Sequence, residues 1–221
     1  TFAGEPNGVT RSYGKIYVTN TGSRTDVFDA ETYEFITCIG TGTWGEGGYQ
    51  TVHAFDVTAS QGAVFIRDKR KLVVVLEQDV QPGSAARVPI YSRSVNLQEA
   101  MGTYAVAARN DGFLYVTAQN KNIIYLFDPA DIRAGDTGFA PYLVTLGFEK
   151  SPQSIAFVGD RLFVTLRVDD KRSELWEISP KNGKLLQDFT DSMVYPEKIA
   201  GARHTLLVVD RATQTVKAIG L

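Results

Sequence analysis

The sequence predicts an all-β fold, a five-bladed β-propeller with four antiparallel strands in each blade, and two observations lead to it. The first is composition: the 221 residues are 43% hydrophobic and rich in Val, Thr, Tyr, Phe and Gly, with one cysteine and two histidines. The second is an internal repeat in which a turn residue precedes a short alternating strand. A chain of this length supports one core, so we expect a single propeller domain over residues 1–221.

The repeat occurs five times, and each copy carries an aromatic residue or a leucine at the same place. We call these residues the anchors. They are Tyr17, Phe65, Tyr115, Phe163 and Leu207. Successive anchors are 48, 50, 48 and 44 residues apart. A near-constant period in this range, built from strand-like segments, is typical of propeller blades.

Further strand-like segments surround each anchor, one before it and two after it. In the first unit they lie at 8–10, 26–29 and 35–39. The chain ends before the fifth unit has its last strand, and residues 1–6 resemble the tail of such a strand. We therefore expect the N-terminal segment to complete the last blade, which would remove an open sheet edge. A piece of a larger six- or seven-bladed ring is the alternative.

Composition excludes several classes of function. No apolar run approaches the roughly 18–20 residues of a membrane helix, so no membrane-spanning segment is expected. The formal net charge of −2 gives no electrostatic reason to expect nucleic acid. A lone Cys38 cannot form an intrachain disulfide, and two histidines cannot build a three-histidine metal site. We expect a monomer without a cofactor or a metal.

Two of the repeat units carry a resemblance to a known family. Residues 15–20 read Lys-Ile-Tyr-Val-Thr-Asn, and 27–32 read Val-Phe-Asp-Ala-Glu-Thr. Residues 114–117 read Leu-Tyr-Val-Thr, and 126–129 read Leu-Phe-Asp-Pro. The pattern resembles the YVTN-type propeller repeats of exported bacterial proteins, cousins of NHL repeats, and is degenerate in units two and five. The resemblance implies a periplasmic, cell-surface (lipoprotein) or secreted location, but such propellers host binding proteins and enzymes alike.

By analogy with other propellers, we expect function on the face that bears two sets of loops. The loops between blades run near 4–8, 40–53, 95–103, 148–153 and 191–197. The loops after the anchor strands run near 20–25, 68–71, 119–122, 167–173 and 211–215. Every loop of the second set carries a base and every loop of the first an acid, which favours mutual pairing or solvation over a polyanion partner.

The loop at 40–53 is the strongest candidate for a ligand site. Its frequent glycines give the backbone freedom. It carries aromatic and polar residues suited to a sugar ring or a planar ligand. These predicted ligand-binding residues are Trp44, Glu46, Tyr49, Gln50 and His53. The alternative is that Trp44 and Tyr49 fold down to cap the adjoining blades.

Other conspicuous residues have structural explanations. His204 occupies a turn position, where histidine tolerates a left-handed backbone, and Cys38 lies in an apolar strand. Asp29 and Asp128 end strands, where aspartate accepts N–H bonds from a turn. The insertion at 128–138 has three carboxylates without the spacing of a calcium loop, so bound calcium is the lesser interpretation.

The leading hypothesis is a non-enzymatic binding module that holds a small ligand, a glycan or a protein partner on one propeller face. It depends on the repeat, the 40–53 loop and the lack of an assembled set of catalytic residues. The alternative is a glycosidase-like hydrolase or a lyase, which would need several carboxylates on the innermost strands. Asp56 is the main candidate there. A purely structural domain of a larger surface protein is the third possibility.

Overall fold

The fold is an all-β propeller in which each of the five repeat units forms one antiparallel sheet, or blade. The computed structural model describes residues 4–40, 53–68, 72–83, 105–128, 130 and 142–221. The chain divides into two compact units. Unit 1 is 1–101 with 128–141, and unit 2 is 102–127 with 142–221. The predicted fold class is confirmed, whereas the expectation of a single domain over 1–221 stays a prediction.

Unit 1 contains the first two blades. Their strands are β1 (Pro6–Ser12), β2 (Lys15–Asn20), β3 (Arg24–Asp29), β4 (Phe35–Ile39), β5 (Ala54–Ser60), β6 (Ala63–Asp68) and β7 (Leu72–Leu76). The sheets follow chain order, β1 to β4 in one and β5 to β7 in the other. A short 3-10 helix, Glu77–Asp79, follows β7. The segment predicted as the fourth strand of the second blade, 87–91, lies outside the described residues.

Unit 2 contains the other three blades. Their strands are β8 (Val106–Ala108), β9 (Leu114–Ala118), β10 (Ile123–Phe127), β11 (Tyr142–Gly147), β12 (Ser151–Val158), β13 (Arg161–Arg167), β14 (Ser173–Ile178), β15 (Leu185–Asp188), β16 (Pro196–Ala202), β17 (Thr205–Asp210) and β18 (Thr215–Gly220). They form sheets of four, four and three described strands. Residues 1–3 lie outside the described part and β1 pairs with β2, so completion of the last blade by the N-terminus stays a prediction.

The anchors pack one blade onto the next. Tyr17 of the first blade is fully buried in one cluster with Ile66 of the second. Phe163 of the fourth blade is buried in one cluster with Val208 of the fifth. The fifth anchor, Leu207, is 38% exposed and is the exception. The repeat thus reflects a burial requirement between consecutive blades.

A threonine two residues after the anchor explains the Tyr-Val-Thr pattern. The buried Thr19 hydroxyl accepts a 2.9 Å hydrogen bond from the Gly8 N–H, and Thr165 accepts one of 3.0 Å from Ser154. Each bond ties the anchor strand to the start of the blade's first strand, where the register shifts by one residue as in a β-bulge. The bulged residues are Asn7, Phe55, Gln153 and Glu197.

Turn residues take the conformations that their types allow. Tyr13 and Gly14 both have positive φ, of 52° and 69°, as the tight turn between β1 and β2 requires. His204 lies in the equivalent turn of the fifth blade, which confirms its structural position. The left-handed residue is nevertheless its neighbour Arg203, with φ of 43°, whereas His204 itself has no positive φ. Unlike the turn at Tyr13 and Gly14, this turn has a positive φ at its first position only.

The strand-ending aspartates hold turns, as predicted. Asp29 Oδ1 accepts 2.8 Å bonds from the backbone N–H groups of Glu31 and Thr32. The bonds from Thr32 and Glu31 lower the pKa of the Asp29 carboxyl, because they stabilise its charged form. Asp128 accepts a 2.7 Å bond from the Ala130 N–H in the same way. The remainder of the 128–138 insertion lies outside the described residues.

The lone cysteine belongs to the core of the first blade. Cys38 is 8% exposed and its sulfur donates a 3.6 Å hydrogen bond to the Gly40 carbonyl. Burial raises the pKa of its thiol, which keeps it protonated and unreactive. The predicted structural role of Cys38 is confirmed.

Two kinds of feature are missing from the part of the chain that the structure describes. No helix there has the length and apolar character needed to cross a membrane. Across 4–40, 53–68, 72–83, 105–128 and 142–221, no three His, Cys, Asp or Glu side chains are grouped to hold a metal ion.

Candidate functional site

Unit 2 contains a polar cavity of about 380 Å³, which we call the unit 2 pocket. Its lining residues are Gln119, Gln153, Arg167, Asp170, Tyr195, Glu197, Lys198 and Arg211. Three of them follow strands β9, β13 and β17 (Gln119, Asp170 and Arg211), and Arg167 ends β13. The others lie near the start of β12 (Gln153), just before β16 (Tyr195) and at the start of β16 (Glu197 and Lys198). Except for Lys198, all fall in the loop segments that the sequence predicted to carry function.

The bulges of β12 and β16 bring their residues to the pocket. The register shifts between Pro152 and Ser154, and again between Pro196 and Lys198. A bulged residue leaves the regular alternation of the strand, so its side chain can be directed away from the sheet. Gln153 and Glu197 occupy these two equivalent positions. The pocket is therefore built from a feature that the blades repeat.

Hydroxyl groups of the fourth blade hold the start of β16 in place. The Ser173 hydroxyl donates to the Pro196 carbonyl at 2.6 Å, and the Thr165 hydroxyl donates to the Glu197 carbonyl at 3.1 Å. The Ile199 N–H donates to the Ser154 hydroxyl at 3.2 Å. Ser173, Ser154 and Thr165 are buried. The backbone on both sides of Lys198 is thus fixed before any ligand binds.

The segment before β16 is held by a buried aspartate. Asp210 accepts backbone N–H bonds from Val194 at 3.1 Å and from Tyr195 at 3.0 Å, and pairs with Lys217 at 3.2 Å. Burial alone would raise the pKa of Asp210, but these donors outweigh it and lower the pKa to about 2. The Arg211 N–H also donates to the Tyr195 carbonyl at 2.9 Å. Two lining residues, Tyr195 and Arg211, therefore share one rigid support.

The charged residues at the rim pair with one another. Arg211 Nη1 lies 3.3 Å from Glu197 Oε1, which joins an after-anchor loop to a between-blade loop as predicted. Arg167 instead pairs with Asp170 of its own loop. The Arg211 guanidinium also lies over the Tyr195 ring, 5.8 Å from its centroid. These pairs are substantially exposed and contribute little stability.

Four other lining groups have no hydrogen-bond or ion-pair partner among the described residues. They are the side-chain amides of Gln119 and Gln153, the Tyr195 hydroxyl and the Lys198 ammonium. The Gln153 Oε1 atom is buried as well as unbonded. A buried polar atom without a partner is rare and unfavourable, so it needs an explanation. Other described side chains, such as Tyr17 and Trp176, also have a buried atom without a hydrogen bond, so this atom supports a ligand only together with the pocket that Gln153 lines.

The site predicted in the 40–53 loop lies mostly outside the described residues. Trp44, Glu46, Tyr49 and Gln50 are not among them, so that site stays a prediction. His53 is described, and it precedes β5. Its N–H donates to Asp68 Oδ1 at 3.4 Å, and its ring stacks on Phe55 with centroids 5.7 Å apart. Both contacts join His53 to residues of the second blade, Asp68 of β6 and Phe55 of β5.

Asp56, the candidate for carboxylate catalysis, lies opposite Arg67 in the β5–β6 pair. It also packs closely on the first blade, since a Cβ added at Gly8 would lie 2.6 Å from Asp56 Oδ1. Arg67 is fully buried, and this burial lowers the pKa of its guanidinium to about 9. The cross-strand neighbour of Asp56 is therefore a cation, whereas glycosidase chemistry needs a second carboxylate.

Sequence reasoning did not single out five of the lining residues, Gln119, Gln153, Asp170, Tyr195 and Lys198. One signal could have found Gln153, because it lies ten residues before the anchor Phe163, as Glu197 does before Leu207. The two residues occupy the bulge position of their blades. The repeat marks Gln119 in the same way, because it lies four residues after the anchor Tyr115, as Arg167 lies after Phe163 and Arg211 after Leu207.

Comparison with known proteins identifies the fold. No protein-family model matches the chain, and no curated protein matches it in sequence. Several solved structures share the fold. Virginiamycin B lyase from Staphylococcus aureus has a TM-score of 0.62 at 12% identity, over 100% of this chain and 71% of the lyase. A chain of a nidogen/laminin complex has a TM-score of 0.65 at 16% identity, over 99% of this chain and 77% of that one. The Swd1 β-propeller domain from Myceliophteria thermophila has a TM-score of 0.58 at 11% identity, over 98% of this chain and 84% of that domain.

Proposed function

We propose that the protein is a non-enzymatic binding module and that the unit 2 pocket holds a small polar ligand. The observation that carries this proposal is the group of four lining side chains without a protein partner. Gln153 is the most telling of them, because its Oε1 atom is both buried and unbonded. The cavity of about 380 Å³ lies within the size range of small-molecule sites, roughly 300–1,000 Å³.

The support around the pocket fits a binding role. Fixed hydroxyl and carboxylate contacts hold the backbone next to Glu197 and Tyr195. A site whose backbone is already ordered loses less conformational entropy when it binds a ligand. The side chains left unpaired are then free to exchange water for the polar groups of a ligand.

A hydrolase or a lyase remains the alternative, and the pocket gives it less support. Within the part of the chain that the structure describes, none of the eight residues that line the pocket is a serine, a cysteine or a histidine. The two lining carboxylates, Asp170 and Glu197, are each paired with an arginine. The likeness to virginiamycin B lyase, at 12% identity, concerns the fold alone. We also propose, from the repeat resemblance, that the protein belongs to the exported YVTN-type propellers.

The test is a ligand screen read by NMR on the whole chain, with the side-chain amide signals of the glutamines as reporters. A library of small acids, neutral glycosides and amino acids would be added to the wild type, to Gln153→Leu and to Gln187→Leu. Gln187 is exposed on β15 and serves as the matched control. We expect hits that shift the Gln153 signals and that Gln153→Leu loses while Gln187→Leu keeps them. Hits that bind both variants equally would contradict the proposed site.

The 40–53 loop is tested separately, since its ligand-binding residues stay a prediction. Replacing Trp44 and Tyr49 with alanine should weaken binding of a ligand that uses this loop. Unchanged binding of every hit from the screen would leave the loop with its alternative role as a cap on the adjoining blades.

A further inference from the structure

The unit 2 pocket contains one cation that the protein itself does not neutralise. Its lining has three cationic side chains and two carboxylates, which leaves a net charge of +1. Arg167 pairs with Asp170 and Arg211 pairs with Glu197. Lys198 has no ion pair among the described residues. Lys198 is half-buried as a residue, and a cation that lines a cavity attracts a negative charge, because screening by water is weaker there than at the open surface.

The other unpaired lining groups are neutral and can both donate and accept hydrogen bonds. They are the amides of Gln119 and Gln153 and the hydroxyl of Tyr195. The buried Oε1 of Gln153 needs a donor. If its amide is turned over, the buried atom becomes an N–H group that needs an acceptor. A ligand hydroxyl satisfies either orientation, because it has both functions.

Two further features exclude other ligand classes. The Tyr195 side chain is 5% exposed and the Arg211 guanidinium lies over its ring, so no open aromatic face is offered for a stacked sugar or a planar ring. Both lining carboxylates are held by arginines, so the ammonium of a zwitterionic amino acid finds no free acid. Apart from Tyr195, the lining is polar throughout, which disfavours an apolar ligand.

We infer that the ligand is a small polyhydroxy monocarboxylate, such as a sugar acid, with its carboxylate at Lys198 and its hydroxyl groups at Gln153 and Gln119. This inference rests on the proposed binding function of the unit 2 pocket and adds the chemical class. One carboxylate matches the single uncompensated charge, and the hydroxyl groups match the three neutral partners. The volume of about 380 Å³ suits a monomer rather than a chain of sugars.

The experiment compares three probes by titration calorimetry and NMR at low ionic strength. Galacturonate carries both the carboxylate and the hydroxyl groups, methyl galactoside has only the hydroxyl groups, and propionate has only the carboxylate. We expect galacturonate to bind at least about tenfold more tightly than either of the others, and its affinity to fall as salt is added. Lys198→Gln should lose about tenfold or more in affinity for galacturonate, because it removes a charge-assisted hydrogen bond.

The matched control is Lys181→Gln, which makes the same charge change at an exposed turn between β14 and β15. It should bind galacturonate as the wild type does. Methyl galactoside binding as tightly as galacturonate, with both lost in Gln153→Leu, would overturn the carboxylate assignment and leave the pocket as a binding site. Tighter binding of an amino acid would overturn it equally. If no probe or library compound shifts the Gln153 signals, both the inference and the proposed function are wrong.

Discussion

Two polar clusters of this protein differ in whether their members bind each other. In the first blade, Asn20 Nδ2 donates to Asp26 Oδ2 at 3.1 Å, and Arg24 forms an ion pair with Asp26, its Nε lying 2.7 Å from Oδ1 without the alignment of a hydrogen bond. Asn20 and Asp26 are buried. In the unit 2 pocket, Gln153 and Lys198 have no such partners among the described residues. Polar groups that satisfy one another stabilise a fold, whereas groups that face a cavity unpaired are available to a ligand.

The largest change in stability is expected when the ion pair and hydrogen bond of Asp26 in the first blade are removed. Asp26→Ala should lower the free energy of unfolding by about 3 kcal/mol, because it leaves the buried Asn20 amide and the Arg24 guanidinium without their shared partner. Urea denaturation measures it. Asp170→Ala, at the pocket rim, is the control and should cost about 0.5 kcal/mol or less, since Asp170 is 86% exposed. An equal loss of unfolding free energy in Asp26→Ala and Asp170→Ala would contradict the proposed difference between the paired cluster and the pocket rim.

The second prediction concerns Asp210, the paired carboxylate that supports the pocket. Its pKa is about 2 in the folded chain against 3.8 ordinarily, so its contribution is present above about pH 4. That contribution, roughly 2 kcal/mol, should be lost as the pH falls towards 2. Urea denaturation from pH 2 to 5 measures it, and Asp210→Asn should be less stable at pH 5 and have a flatter profile. An unchanged profile in the variant would contradict the assignment.

The third prediction compares how the same kind of substitution changes the free energy of unfolding at one residue of each cluster. Gln153→Leu should raise the free energy of unfolding by about 1 kcal/mol, because it removes a buried oxygen that has no partner. Asn20→Leu should lower it by about 2 kcal/mol, because it removes a buried amide that is bonded to Asp26. Thermal and urea unfolding of both variants would show the opposite signs. A clear loss of stability in Gln153→Leu would mean that Gln153 serves the fold.

The smallest effect is expected at the rim of the pocket. Glu197→Gln should change the free energy of unfolding by no more than about 0.5 kcal/mol, since the Arg211–Glu197 pair is partly exposed. Removing this carboxylate also frees Arg211, so binding of an anionic ligand should become tighter while stability stays constant. Calorimetry with galacturonate and urea denaturation check the two halves. A loss of stability near that of Asp26→Ala would show that the rim is structural.

The blades followed from the sequence with few errors because their signals are local. Alternation across Lys15–Asn20 and the turn at Tyr13 and Gly14 involve only neighbouring residues. The shift of the left-handed residue from His204 to Arg203 shows the limit of that reasoning. Aligning the repeats places the turn correctly, but it does not show which of the two turn residues has a positive φ. Both Tyr13 and Gly14 have one in the first blade, whereas only Arg203 does in the fifth.

The candidate site was harder to predict, for a different reason. Aromatic residues in a glycine-rich loop, such as Trp44, attract attention in any sequence, whereas a glutamine in a strand does not. Gln153 stands out only because its amide oxygen is buried without a bond. Burial and pairing are properties of the packed chain, and no local pattern reports them.

The sequence by itself determined the strand class, the period, the anchors and the turn aspartates such as Asp29. Each of these arises from preferences that act within one blade or repeat identically in several. Only the tertiary structure decided that Gln119, Gln153 and Lys198, from three consecutive blades, line one cavity. It also decided that Arg211 neutralises Glu197 and leaves Lys198 without an ion pair among the described residues. The physical reason is that hydrogen bonds and ion pairs depend on distances of a few ångströms between atoms far apart in the chain.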